Sequence, residues 1–106
     1  MTIEGMLGLG QRAGKLLSGD LAVKSAINRG RVKLLIIAVD AANRTQKELL
    51  GLAASKKIPT LAYGSKEELG RIIGKSPRSA VAFIDRKMVR GILEAMERGE
   101  ADRTQT

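Results

Sequence analysis

The sequence contains no cysteine and no histidine. Without thiols it has no disulfide, no thiolate nucleophile and no Cys-ligated zinc. Without imidazoles it has no Ser–His nucleophile pair and no His-ligated metal. Aromatic side chains are almost missing: Tyr63 and Phe83 stand alone, and there is no tryptophan. Domains that read single strands by stacking bases on exposed rings are therefore a poor match. Recognition of a nucleic acid would rest on backbone amides, charge and shape. The longest unbroken apolar run covers residues 34–39, far short of a bilayer span. The opening MTIEGMLGLGQRAG lacks a basic head followed by an apolar stretch, so no signal peptide is expected and the expected location is the cytoplasm.

Positive charge is what the chain has in excess. Lys and Arg number 19 against 11 Asp and Glu, a formal net charge of +8 in 106 residues. That length suits one compact domain, and a hydrophobic fraction of 43% is enough to fold it. The charge does nothing for the fold but attracts phosphate, so nucleic acid is the first partner to consider and an anionic membrane surface the second. Residues 12–33 concentrate it: Arg12, Lys15, Lys24, Arg29, Arg31 and Lys33 are basic, and Asp20 is the one acid.

Periodicity predicts helices over residues 3–13 and 19–29, the second ended by Gly30. Residues 15–18 are a short extended piece. Residues 33–39, KLLIIAV, are a central strand buried on both faces. Asn43 with Gln46 suggests a capping box, opening a helix to about residue 56 with Leu49, Leu50, Leu52 and Ala53 inward. Residues 60–63 form a short strand after Pro59. Ser65 with Glu68 is a cleaner capping box for a helix closed by Gly74. Residues 79–84 are a further strand, and Asp85 caps a last helix over residues 86–98 with Val89, Ile92, Leu93 and Met96 as its stripe. Four strands alternating with helices imply an α/β layer fold with a mainly parallel or mixed sheet. Residues 1–98 are expected to form one domain and 99–106 a polar tail.

On a helical wheel, Ala22, Val23, Ala26 and Ile27 fall on one arc of the second helix, the expected buried face. Asp20, Lys24, Ser25, Asn28 and Arg29 fall on the other, with Leu21 among them. An exposed leucine beside polar groups at the positive end of a helix marks either a contact surface or an ordinary solvated face. Gly19 either permits the turn or lets backbone N–H groups approach a phosphate.

The segments GDLAVKSAINRG (19–30), VKLLIIAVD (32–40) and GSKEELGRIIG (64–74) together resemble the ribosomal protein L-seven-Ae family. The opening LGLGQRAGKLLSG resembles its small bacterial YlxQ-type branch. The resemblance covers about residues 3–85, with three blocks in the right order. It implies a three-layer α-β-α sandwich with a four-stranded mixed sheet, binding to kink-turn RNA, and no catalytic activity. It places RNA contacts at the start of the second helix and in the loop before the last strand. Where family members begin that helix with Gly-x-Asn-Glu and carry a Lys three residues later, this chain keeps Gly19 but has Leu21, Ala22 and Ser25. Lys24 lies one residue before the Lys position. Arg29 matches a basic phosphate contact and Lys66 a lysine after a serine. Lys75, Ser76, Pro77, Arg78 and Ser79 match the loop that packs on a flipped-out base. The phosphate-binding part is kept and much of the base readout is replaced.

Other motifs add little. No P-loop occurs, and Gly5, Gly8 and Gly10 do not follow a strand, so no dinucleotide fingerprint is present. Glu67 and Glu68 suit a helix N-terminus, and Asp40, at the end of the central strand where α/β folds place ligands, suits a cap or turn better. Arg86, Lys87 and Arg90 are either a second phosphate patch or the exposed face of the last helix. The expected protein is a monomeric, non-enzymatic RNA-binding domain of a ribosome or ribonucleoprotein, without cofactor, metal or membrane. Its candidate RNA contacts are Lys15, Gly19, Leu21, Lys24, Ser25, Asn28, Arg29, Lys66, Lys75, Ser76 and Arg78. A protein-interaction module reusing the same fold is the alternative.

Overall fold

The computed structural model describes residues 2–99; the expected polar tail lies almost entirely outside them. In chain order the elements are α1 (Ile3–Arg12), β1 (Leu16–Ser18), α2 (Asp20–Asn28), β2 (Leu34–Ile37), α3 (Asn43–Ser55), β3 (Thr60–Ala62), α4 (Lys66–Ile72), β4 (Ala80–Phe83) and α5 (Arg86–Glu97). The expected alternation of helix and strand is found.

The strands form one sheet in the order β1-β4-β2-β3. β4 runs antiparallel to both neighbours, with Leu16 opposite Phe83 and Leu34 opposite Phe83 on its two edges. β2 and β3 are parallel, Ile36 facing Leu61. The sheet is thus mixed. Every residue of β2 and β4 is buried, which needs helices on both faces. α2 and α3 pack together on one face, and α1 packs with α4 and α5 on the other. The result is the three-layer α-β-α sandwich. Its core holds Phe83, Ile3, Leu7, Ile27, Leu35 and Leu49, all fully buried. A Cβ on Gly10 would stand 2.8 Å from the Phe83 ring, so α1 lies against the sheet only because that position has none.

The Ser65 capping box forms as expected, with Glu68 N–H donating to Ser65 Oγ at 3.0 Å and Ser65 N–H to Glu68 Oε1 at 2.9 Å. Asp85 caps α5 by accepting from the Met88 amide at 2.9 Å. The Asn43 box does not form. α3 begins at Asn43 itself, Ala42 is its N-cap, and no side chain caps it. Gln46 instead turns back and donates to the Ala41 carbonyl at 3.1 Å. Two inward residues are also corrected. Ala22 is exposed, because it sits in the first turn of α2 at the border of the apolar arc. Leu50 is exposed, because Leu49 and Ala53 already fill the contact of α3 with the core. No helix among the described residues is long and apolar enough to cross a membrane.

Candidate nucleic-acid interface

β1 ends at Ser18, paired with Val81, and the chain must turn at once into α2. Gly19 makes that turn at φ +94°, a conformation that side-chain-bearing residues rarely adopt. Its amide donates to the Ala80 carbonyl at 3.2 Å, anchoring the corner on β4. Because Gly19 carries no side chain, α2 has no side-chain cap. The first-turn N–H groups are left for water or for an anion, at the positive end of the helix dipole.

The loop over residues 75–79 lies beside this corner. The chain turns out of α4 at Gly74, φ +74°, and the Lys75 amide returns to the Gly70 carbonyl at 2.7 Å. The loop can rest on α4 only because Gly70 lacks a Cβ, which would collide with the Ser76 carbonyl. Arg78 then reaches across to β1: its Nε donates to Ser18 Oγ at 3.1 Å. The same guanidinium donates to Ser76 Oγ at 2.6 Å and to the Ser76 carbonyl at 3.1 Å. The Arg78 amide donates to the Lys66 carbonyl at 3.0 Å. Lys66 N–H is in turn held by Asp40 Oδ1 at 2.8 Å, so Asp40 acts as a second cap on α4. Gly19, Lys66, Lys75, Ser76 and Arg78 are therefore gathered at one end of the sheet.

The exposed face of α2 adjoins that cluster. Leu21, Lys24, Ser25, Asn28 and Arg29 line one shallow, open depression. Leu21 is 84% exposed, the most exposed large apolar side chain described. Lys24 is not free: its Nζ donates to Glu48 Oε2 on α3 at 2.8 Å. The hydrogen bond from Lys24, and then its charge, hold the Glu48 carboxyl below its ordinary pKa. Arg29 is exposed at the far end of α2, about 15 Å along the helix from Gly19.

Lys15 lies apart from these residues. It precedes β1, about 13 Å of strand from Gly19, and its carbonyl accepts from the Ile84 amide at the other end of the sheet. Its Nζ stands 3.9 Å from Asp85 Oδ1. Sequence proximity to α2 suggested a shared site, but an extended strand carries the two ends apart. Ser18 and Glu48 were not foreseen as site residues. Their roles depend on tertiary pairing with Arg78 and Lys24, for which the sequence has no local signal.

Residues 1–100 match the model of the ribosomal protein L7Ae/L30e/S12e/Gadd45 family. Over 92 residues the chain is 33% identical to the RNA-binding protein YlxQ of Bacillus subtilis (strain 168), covering 87% of this chain and 92% of that protein. Over 91 residues it is 30% identical to the large ribosomal subunit protein eL8 of Thermoplasma volcanium, covering 81% and 75%. A solved protein of unknown function from Bacillus halodurans C superposes with a TM-score of 0.81 at 35% identity, covering 89% and 95%. The Giardia lamblia 15.5kD RNA binding protein shares the fold, with a TM-score of 0.78 at 24% identity, covering 91% of this chain and 85% of that one.

Proposed function

This chain belongs to the ribosomal protein L7Ae/L30e/S12e/Gadd45 family, and on that premise we propose that it is a non-enzymatic RNA-binding protein of a ribonucleoprotein particle. Its ligand is a structured, kink-turn-like RNA. The observation that carries this reading is the juncture of the uncapped α2 start with the loop over residues 75–79, tied through Arg78 and Ser18. Free N–H groups at a helix N-terminus suit phosphate, and Lys66 and Lys75 add charge beside them. The depression on α2 adds Ser25, Asn28 and Arg29 as polar contacts.

Leu21 and Ala22 have no side-chain group to hydrogen-bond a base edge and Ser25 has one hydroxyl, so affinity here is mainly electrostatic and selectivity modest. We assign residues 1–98 to one RNA-binding unit, monomeric and cytoplasmic. The test is a titration of the native protein against a kink-turn RNA and a plain duplex at several salt concentrations. About five phosphate contacts give a log–log slope on the order of −4. A slope near zero would reject the reading. It would favour the second one, in which the exposed Leu21 and Ala22 dock a protein partner.

A further inference from the structure

Among the described residues, a second group of exposed cations lies away from the α2 corner. At the opposite end of the sheet, the Lys33 amide donates to the Phe83 carbonyl at 2.8 Å, which brings the start of β2 against the end of β4. Two residues after Phe83, Asp85 caps α5, and the first turns of that helix present Arg86, Lys87 and Arg90 to solvent. Lys33, Arg86 and Arg90 line a single depression, floored by Val89 and Leu93 and bounded on its far side by Glu94 and Glu97. Arg31 is exposed two residues before Lys33. Among the described residues, Arg31, Arg86, Lys87 and Arg90 form no ion pair. At the α2 end, by contrast, Lys24 on the exposed helix face is paired with Glu48.

The placement of these charges also works against the helix that carries them. Arg86 and Lys87 are the first two residues of α5, at the positive end of its dipole, where cations are unfavourable. α4 shows the stabilising choice, with Glu67 and Glu68 in its first turn. Cations so placed gain nothing from their own helix and are open to an external anion. Val89 is buried and Leu93 half-buried beneath the cations, and the exposed large apolar side chains, Leu9, Leu21, Val39 and Leu50, all lie outside this depression. A membrane surface would want an inserted apolar face. A phosphate backbone meets the charged rim and needs none.

We propose that Lys33, Arg86 and Arg90, with Arg31 and Lys87 at their edge, form a second RNA surface that takes the phosphates of a double-helical segment. Lys33 and Ala38, which bond to β4's two ends, are separated by about 17 Å of strand, so the two ends of the sheet hold different parts of an RNA, or two RNAs. This rests on the RNA binding proposed above, but not on kink-turn recognition at α2.

The test is a fluorescence-anisotropy titration of a plain mixed-sequence RNA duplex over a salt series. It compares the native protein, Lys33→Gln/Arg86→Gln/Arg90→Gln, and Arg90→Gln alone, with melting curves to verify folding. The triple variant is expected to bind the duplex about ten-fold or more weakly, with a log–log slope flatter by about two to three. Arg90→Gln alone should flatten it by about one. Unchanged duplex affinity and slope in the triple variant would overturn the proposal. Phosphatidylserine vesicles and polyglutamate are titrated in parallel. If the triple substitution weakens binding to either of these and not to the duplex, the surface serves another polyanion and the RNA assignment is overturned. Equal affinity of the native protein for kink-turn and duplex would count against the reading of the α2 corner and leave this result standing.

Discussion

Arg78 and Ser18 are 60 positions apart in sequence, yet the Arg78 guanidinium donates to the Ser18 hydroxyl at 3.1 Å. That bond fastens the loop over residues 75–79 to the strand end from which α2 starts. The Nε and one terminal nitrogen of Arg78 point at the protein itself: Ser18, Ser76 and Pro77 all accept from them. On the RNA-binding reading proposed above, the role of Arg78 is to shape the surface rather than to pair with phosphate.

A shaping role has a signature. Arg78→Ala is expected to weaken RNA binding about ten-fold while changing the log–log salt slope by less than about one. Arg78→Lys keeps the charge but loses the planar fork, and should lose most of the same affinity. Full rescue by lysine would place the guanidinium on a phosphate instead. Anisotropy titrations at several salt concentrations separate the two.

The three positions of α2 that depart from the pattern this chain resembles can be changed to that pattern. Leu21→Asn, Ala22→Glu and Ser25→Lys together should sharpen preference for a kink-turn over a duplex, by about 1–3 kcal/mol for each good polar base contact, the value known from DNA grooves. All three side chains are exposed, so the fold should tolerate the change. A native protein that already prefers the kink-turn by about 4 kcal/mol or more would show that other residues read it.

Gly70 tests the support of the loop. A Cβ there would meet the Ser76 carbonyl, which is backbone and cannot swing aside. Gly70→Ala is expected to destabilise the fold by about 1–3 kcal/mol, seen as a lower urea midpoint. RNA affinity should fall with it. A variant as stable as the native chain would mean the loop shifts freely.

Lys24 and Glu48 make a prediction about pH and one about binding. Glu48 has its pKa lowered in the folded chain, first by the hydrogen bond from Lys24 and then by its charge. The pair therefore contributes fully above the ordinary carboxylate range, and its contribution is lost as pH falls through the lower folded value. In a carbon-13 NMR titration the Glu48 midpoint should rise on Lys24→Gln; an unmoved midpoint would dissolve the pair. Glu48→Gln releases Lys24 and should strengthen RNA binding at low salt, with a steeper salt slope.

Much of the fold was legible in the sequence because its strongest signals are local. The apolar runs of β2 and β4, the Ser65–Glu68 box and the Asp85 cap each act within a few residues. The 100° step also placed Leu21 in solvent. What escaped was set by distance. Nothing near Lys24 signals Glu48, and nothing near Lys15 says that a three-residue strand would carry it to Asp85. Asn43 had the residues of a cap, but the backbone enters the helix one position earlier than that cap requires. The strand order was equally hidden, since β4, the last strand made, inserts between β1 and β2.

That insertion has a consequence in time. A ribosome makes β1, α2 and β2 early, but neither β1 nor β2 has its β4 partner until residues 80–83 emerge. At the usual 5–20 residues per second, the roughly 60 residues between Ser18 and Arg78 take about 3–12 s to synthesise. Throughout that interval the nascent chain carries β1 as an unpaired edge and the corner at Gly19 without its Ala80 anchor. The corner at Gly19 therefore matures only after residues 80–83 have emerged. A stalled or truncated product would display its cations with no surface shaped to direct them.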